Sequence, residues 1–186
     1  VLGAGAVAVE LAQFFLRIGV KVTLLQRSPH ILSKGDEDLA RPVEHRFREE
    51  GMDLYTATNI LRAEKKQEDS VVYFQHEGEE KSVSAQYILQ ALGRRPNIDG
   101  LHLETAGVET HKGRITVDAK MKTSQPHIFA VGDVNGIHEV VHIAIQQGEV
   151  AGYNAIHPEK EREVDDRLKS SVVFTDPAVA SVGLSE

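Results

Sequence analysis

His138-Glu139-Val140-Val141-His142 spells H-E-x-x-H. In that pattern two histidines at i and i+4 share one helix face and bind one zinc, and the intervening glutamate serves as general base. Glu159, Glu161 and Glu163 follow as candidates for a third ligand, and no third histidine stands at the extended spacing. A zinc hydrolase acting through His138, Glu139 and His142 is one reading. The opposite end of the chain offers another. Gly3, Gly5 and Ala8 form G-x-G-x-x-A at a strand-to-helix turn: the first glycine permits the tight turn, the second leaves room for a pyrophosphate, and the small third residue lets helix and strand pack closely. The helix that follows turns free amides and the positive end of its dipole toward the phosphates.

The next strand ends at Gln26-Arg27, where an NAD site places an acid against the ribose hydroxyls. An uncharged Gln26 removes that acid and its repulsion of a 2'-phosphate, and Arg27 offers a fork of donors for one. The pair leans toward NADPH over NADH, with Ser28 as a further hydroxyl.

Elements must hold these groups. Val7, Leu11, Phe14, Phe15 and Ile18 recur at helical spacing up to a stop at Gly19, and "VKVTLLQR" follows as a β-branched strand, completing a βαβ unit. Asp36, Glu37 and Asp38 open a second helix with Leu39, Val43 and Phe47 on one face and Gly51 at its end; Pro42 lies early enough to be tolerated. From Met52 to Leu92 the pattern becomes short strands with polar tips. Gly93-Arg94-Arg95-Pro96-Asn97 marks a boundary. "HIFAVGD" then reads as a buried strand ending at Asp133, followed by a helix that carries the HEVVH residues, with Ile137, Val141, Ala144, Ile145 and Gly148 as its packed face. A polar linker, "HPEKEREVDDRLK", leads to a last strand-like run.

The 186 residues carry 28 acidic against 21 basic side chains, a formal charge of -7 that gives no reason to expect nucleic acid or an anionic membrane as partner. No apolar run reaches the length of a membrane span. The chain reads as soluble and cytoplasmic. It has no cysteine, which excludes a disulfide, a thiolate metal site or a cysteine nucleophile within it. Only Val1 and Leu2 precede the glycine turn, and the chain stops after a strand-like run, so the sequence reads as a piece cut at both ends.

Four ordered stretches, "GAGAVAVE", "ALGRRPN", "TSQPHIFAVGDV" and "VVFTDPAVASVGLSE", resemble the FAD-dependent pyridine nucleotide-disulfide oxidoreductases, a family that includes dihydrolipoamide dehydrogenase, glutathione reductase and mercuric reductase. Their order and spacing cover nearly the whole chain. The resemblance implies an α/β fold: a Rossmann-like NAD(P)-binding domain with a β-meander over residues 1–92, the C-terminal part of an FAD-binding domain over 93–160, and a linker with the first strand of a dimerisation domain over 161–186. It implies that Glu10 lies near the nicotinamide and the flavin edge, that Gly93 lies close to the nucleotide, and that Asp133 hydrogen-bonds the FAD ribitol. It implies also that the helix carrying His142 and Ala144, similar to an A-H-x-A stretch of dihydrolipoamide dehydrogenases, turns backbone amides to the flavin.

The implied activity is hydride transfer between nicotinamide and FAD, coupled to a cysteine pair and a His-Glu pair outside these residues. A fragment without them is expected to bind a nicotinamide nucleotide at best. The intact enzyme is expected to be a homodimer acting on a small-molecule disulfide or lipoyl substrate. The stretch around His142 and Gln146 to Glu149 leans toward dihydrolipoamide dehydrogenase, and Gln26-Arg27 toward NADPH-dependent mercuric or glutathione reductases. A ferredoxin-reductase type enzyme and a noncatalytic nucleotide-sensing module are the further alternatives.

Overall fold

The computed structural model describes residues 1–165, 167 and 169–183. Asp166 and Leu168 of the polar linker, and Leu184, Ser185 and Glu186 at the end of the last run, lie outside the described residues. The chain forms two compact units, one of Val1–Gly93 with Val172–Ser181, the other of Arg94–Ser171 with Val182 and Gly183.

In the first unit Leu2 bridges in parallel to both Leu25 and Gln90. Strand β1 (Thr23–Leu25) pairs in parallel with β2 (Asp53–Tyr55), Thr23 opposite Asp53. Parallel neighbours need crossovers, and two helices supply them: α1 (Ala6–Arg17) between Leu2 and β1, and α2 (Glu37–Glu49) between β1 and β2. Successive strand residues face opposite sides of a sheet. Leu24 accordingly joins Val9, Ala12, Val43 and Phe47 beneath the helices, while Leu25 joins Val72 and Phe74 of an antiparallel meander, β3 (Asn59–Lys66), β4 (Asp69–His76) and β5 (Glu79–Ala85). Helices, parallel sheet and meander make three layers, the Rossmann-like α/β arrangement the sequence predicts. Phe47 is fully buried in the helical layer. The substitution Phe47→Ala is expected to cost about 3–5 kcal/mol, read as a lower urea midpoint at unchanged slope.

Helix α1 does not bury its bulkiest residues. Ala8, Val9, Ala12 and Gln13 form its inner face, and Val7, Phe14 and Ile18 are exposed. Small side chains let the helix lie close to the sheet, and the one polar member is satisfied: Gln13 donates to the Asp176 carbonyl at 2.9 Å and accepts from the Asp176 amide at 2.8 Å.

At the end of α1 the Arg17 guanidinium bridges Glu50 at 2.5 Å and Asp176 at 2.6 Å. Its hydrogen bonds hold both carboxyls below their ordinary pKa values. A depressed folded-state pKa contributes stability that is present above the ordinary carboxylate range and lost as pH falls through the folded value. Arg17 and Asp176 are open to solvent while Glu50 is partly covered, so the gain is modest. Wild type is expected to melt above Arg17→Met at neutral pH, and the gap to close as pH falls below the ordinary carboxylate range; a gap independent of pH contradicts this.

The second unit has a short hairpin of β6 (Thr110–His111) and β7 (Arg114–Ile115), a core of Val108, Ile115 and Ala130, a 3-10 turn over Gly132–Asn135, and helix α3 (Val141–Ile156). Two features depart from expectation. The "HIFAVGD" stretch forms no regular strand: among the described residues it makes one antiparallel bridge, Phe129 to Lys122, with Ala130 donating to Met121 and Thr123 to Ile128. Asp133 therefore stands in a turn, not at the end of a regular strand. The inner face of α3 is Ile143, Gln147, Ala151 and Asn154, whereas Val141 and Ile145 are exposed; two amides with fixed partners take places that an apolar stripe was expected to fill. Beyond α3, β8 (Ser170–Val173) pairs with β9 (Val179–Val182). Among the described residues no helix is long and apolar enough to cross a membrane.

Candidate functional site

The glycine turn is held from both sides. Gly3 donates to the Leu25 carbonyl at 2.9 Å and the Leu2 carbonyl accepts from the Ala91 amide at 2.9 Å. Gly3 has φ +94°, and a Cβ placed on it would stand 2.5 Å from the Ala91 carbonyl oxygen. Neither the conformation nor the space admits another residue. Gly5 is different. It is the N-cap of α1 in ordinary extended geometry, with no side-chain cap bond, and a Cβ on it would meet nothing within 4 Å. Gly5, Ala6 and Val7 are exposed while Ala8 is wholly buried. The first turn of α1 thus presents uncapped amides beside open space, which is what an anionic diphosphate needs.

Gln26 and Arg27 have separate fates. Gln26 is buried; its backbone bonds to Tyr55 and Thr58, and its side-chain amide donates to the His30 carbonyl at 3.4 Å. Arg27 is exposed, and no hydrogen bond or ion pair holds it among the described residues. Ser28 is half-buried, and its carbonyl accepts from Ala57. Glu10, one helical turn beyond the glycines, accepts at 2.8 Å from the amide of Phe174. Gly93 has φ +119° and open space around its Cα.

In the second unit the Asp133 carboxylate is half-exposed and ion-paired with Arg94, a partner that sequence reading does not provide. His142 bonds through Nε2 to the carbonyl and hydroxyl of Ser170, both at 3.1 Å. Ala144 packs against the turn closely enough that a Cβ on Gly132 would lie 3.3 Å from its own. The zinc reading fails on geometry. Val140 is the extended N-cap of α3, with φ −135°, so His138 and Glu139 lie outside the helix and the i, i+4 pair does not form on one face. No group of three histidine, aspartate or glutamate side chains is placed to hold a metal among the described residues. Sequence reading also missed the buried pair Asn135 and Gln147 behind Asp133. The available signal was a polar residue at i+4 from Ile143 and i−4 from Ala151, inside the one stripe of α3 that the fold covers.

Residues 1–148 match the family described as pyridine nucleotide-disulphide oxidoreductase. Over its whole length the chain is 35% identical to the mercuric reductase of Staphylococcus aureus and 39% identical to the dihydrolipoyl dehydrogenase of Thermus scotoductus, spanning 34% and 40% of those proteins. Among solved structures it is similar to the HOCl-induced flavoprotein disulfide reductase RclA of Escherichia coli, with TM-score 0.87 at 28% identity over 100% of this chain and 42% of that one. LpdA of Mycobacterium tuberculosis superposes with TM-score 0.88 at 29% identity over 98% of this chain and 39% of that one.

Proposed function

The chain belongs to the pyridine nucleotide-disulphide oxidoreductases, and from that membership we propose that it is the central part of an FAD-dependent NAD(P)H:disulfide oxidoreductase, with dihydrolipoamide dehydrogenase as the nearest activity. One observation carries the reading: an uncapped helix start at Gly5, whose missing side chain leaves space that none of the described residues fills. A merely tight turn needs Gly3 but has no use for an open Gly5.

In this reading residues 1–92 form the NAD(P)-binding domain, 93–160 belong to the FAD-binding domain, and 161–186 lead into a dimerisation domain. The amides after Gly5 receive the nucleotide pyrophosphate, Ala8 keeps the helix close to the sheet, Gln26 shapes the ribose end, and Arg27 takes a 2'-phosphate. Glu10 orders the nicotinamide end, and Gly93 leaves the flavin nucleotide room. The Asp133 carboxylate accepts from a hydroxyl of the flavin side chain, exchanging its bond to Arg94, and the start of α3 near His142 and Ala144 turns amides to the flavin ring. Bound nicotinamide and flavin supply the two-electron chemistry, and the protein supplies position and electrostatics. The chain contains no cysteine, so the reactive pair comes from other residues of the whole protein, a cytoplasmic homodimer acting on a small lipoyl or disulfide substrate.

The unpaired Arg27 favours a second assignment within the same class, an NADPH-dependent reductase such as mercuric reductase. The test is direct. Purified full-length protein is expected to carry FAD and to transfer electrons between NAD(P)H and dihydrolipoamide, a disulfide or Hg(II); a protein that binds neither flavin nor nicotinamide nucleotide overturns the reading.

A further inference from the structure

Behind Asp133 lies a polar cluster with no part in the chemistry so far described. Asn135 and Gln147 are each about 1% exposed. The Gln147 Oε1 accepts from the Gly132 amide at 2.7 Å and from Asn135 Nδ2 at 2.9 Å. Two donors converging on one atom require an oxygen there, which fixes the orientation of the amide. Asn135 Nδ2 also reaches the Ala130 carbonyl at 3.3 Å, and its Oδ1 accepts from the Ile137 amide at 3.0 Å. Gln147 Nε2, by contrast, is buried with no hydrogen-bond partner among the described residues.

The arrangement clamps the chain on either side of Asp133 and Val134. Gly132, at φ +71°, precedes Asp133, and Asn135 closes the same 3-10 turn. The clamp comes from a packed helix, close enough because residue 144 is alanine. It leaves the carboxylate between the two anchors turned outward and half-exposed. A buried amide whose nitrogen meets no partner among the described residues is an expensive way to fill a core, and an apolar residue of similar length would fill the same volume. What only an oxygen-bearing side chain can do at this place is hold the two donors that flank Asp133.

We propose that Gln147, acting through Gly132 and Asn135, is a positioning residue that fixes the Asp133 carboxylate for the polyhydroxyl chain of the flavin, an inference that rests on the flavin-binding reading above. The idle Nε2 makes a sharp comparison available. The substitution Gln147→Glu, held as the neutral acid by its burial, keeps a carbonyl acceptor toward both donors and loses no existing bond, whereas Gln147→Leu strands the Gly132 N–H in the core.

The test is titration of FAD into apo full-length protein, followed by flavin fluorescence, for wild type, Q147L, Q147E, D133A and the double variant Q147L/D133A. Q147L is expected to weaken FAD binding about tenfold, Q147E to stay within about threefold of wild type, and Q147L to add less than about twofold once Asp133 is already alanine. A general loosening of the fold would weaken binding equally in both backgrounds, so an equal loss in the D133A background overturns the proposal. So does a Q147L protein that binds like wild type, or a Q147E protein as weak as Q147L. If Q147L does not fold, the same cycle run with Asn135→Ala decides, by the same vanishing of its effect in D133A. Wild-type protein that takes up no FAD sinks the flavin reading itself, an outcome distinct from a flavin-binding wild type indifferent to substitution at position 147.

Discussion

Gly3→Ala and Gly5→Ala, identical in chemistry and two residues apart, are expected to fail in opposite ways. At Gly3 the added methyl meets the Ala91 carbonyl oxygen at 2.5 Å, and the backbone is in the left-handed region at φ +94°. Backbone strain of this kind costs roughly 1–3 kcal/mol, and relief of the clash requires displacement of a chain segment that also pairs with Leu2. The variant should melt well below wild type and lose nucleotide binding as a consequence. At Gly5 the added methyl meets no atom of the described residues and the backbone angles suit alanine. Loss of a glycine N-cap costs no more than about 1 kcal/mol, so the fold should survive. The methyl instead occupies the space proposed for the pyrophosphate. NADPH affinity should drop by about tenfold or more, because the clash falls on the bound state alone. Melting curves and nucleotide titrations of the two proteins separate the cases. A Gly5→Ala protein with unchanged affinity would mean that the open turn serves no nucleotide.

The same turn shows what sequence can and cannot convey. Gly3, Gly5 and Ala8 were legible because backbone requirements limit residue choice there: a positive φ, an open approach and a close helix contact each leave a mark in residue type. The strand-helix-strand order was legible for a similar reason, since β1 and α2 carry their periods plainly. Packed faces were not. In α1 the bulky Val7, Phe14 and Ile18 suggest a buried stripe by size, yet depth against the sheet is decided by how closely the helix approaches, and that favours Ala8, Ala12 and a doubly bonded Gln13. In α3 the buried positions include Gln147 and Asn154; Asn154 bonds to the Lys120 carbonyl and to both backbone groups of Arg162. Burial of an amide depends on partners distant in sequence, which no local period records. The H-E-x-x-H pattern misleads for the complementary reason: five letters specify a zinc site only when one helix carries them all, and here the helix begins at Val141. At the end of β1, residue types pointed to a 2'-phosphate, but only the structure separates a buried Gln26 from an Arg27 that is unpaired among the described residues.

That separation makes a specific outcome expected for nucleotide choice. Arg27 is exposed and unpaired among the described residues, so it is available to a phosphate without first breaking an ion pair. A charge-assisted contact of this kind contributes about 1.5–3 kcal/mol, and reversing the charge adds repulsion. Arg27→Glu should therefore weaken NADPH by about a hundredfold while leaving NADH, which lacks the 2'-phosphate, within a few fold. The wild-type preference should shrink with added salt, since the contact lies in solvent. Gln26→Glu, the substitution that residue patterns alone would recommend for acquiring NADH, should not achieve it. The Gln26 amide donates to the His30 carbonyl from a buried position. A carboxylate there would lose that donor and face the carbonyl oxygen with negative charge. It should lower the melting temperature without creating a ribose contact. Equal loss of NADPH and NADH affinity in Arg27→Glu would remove Arg27 from the phosphate site, and a stable, NADH-preferring Gln26→Glu protein would show that the ribose end is set by the sign of charge at residue 26 and not by the burial of its side chain.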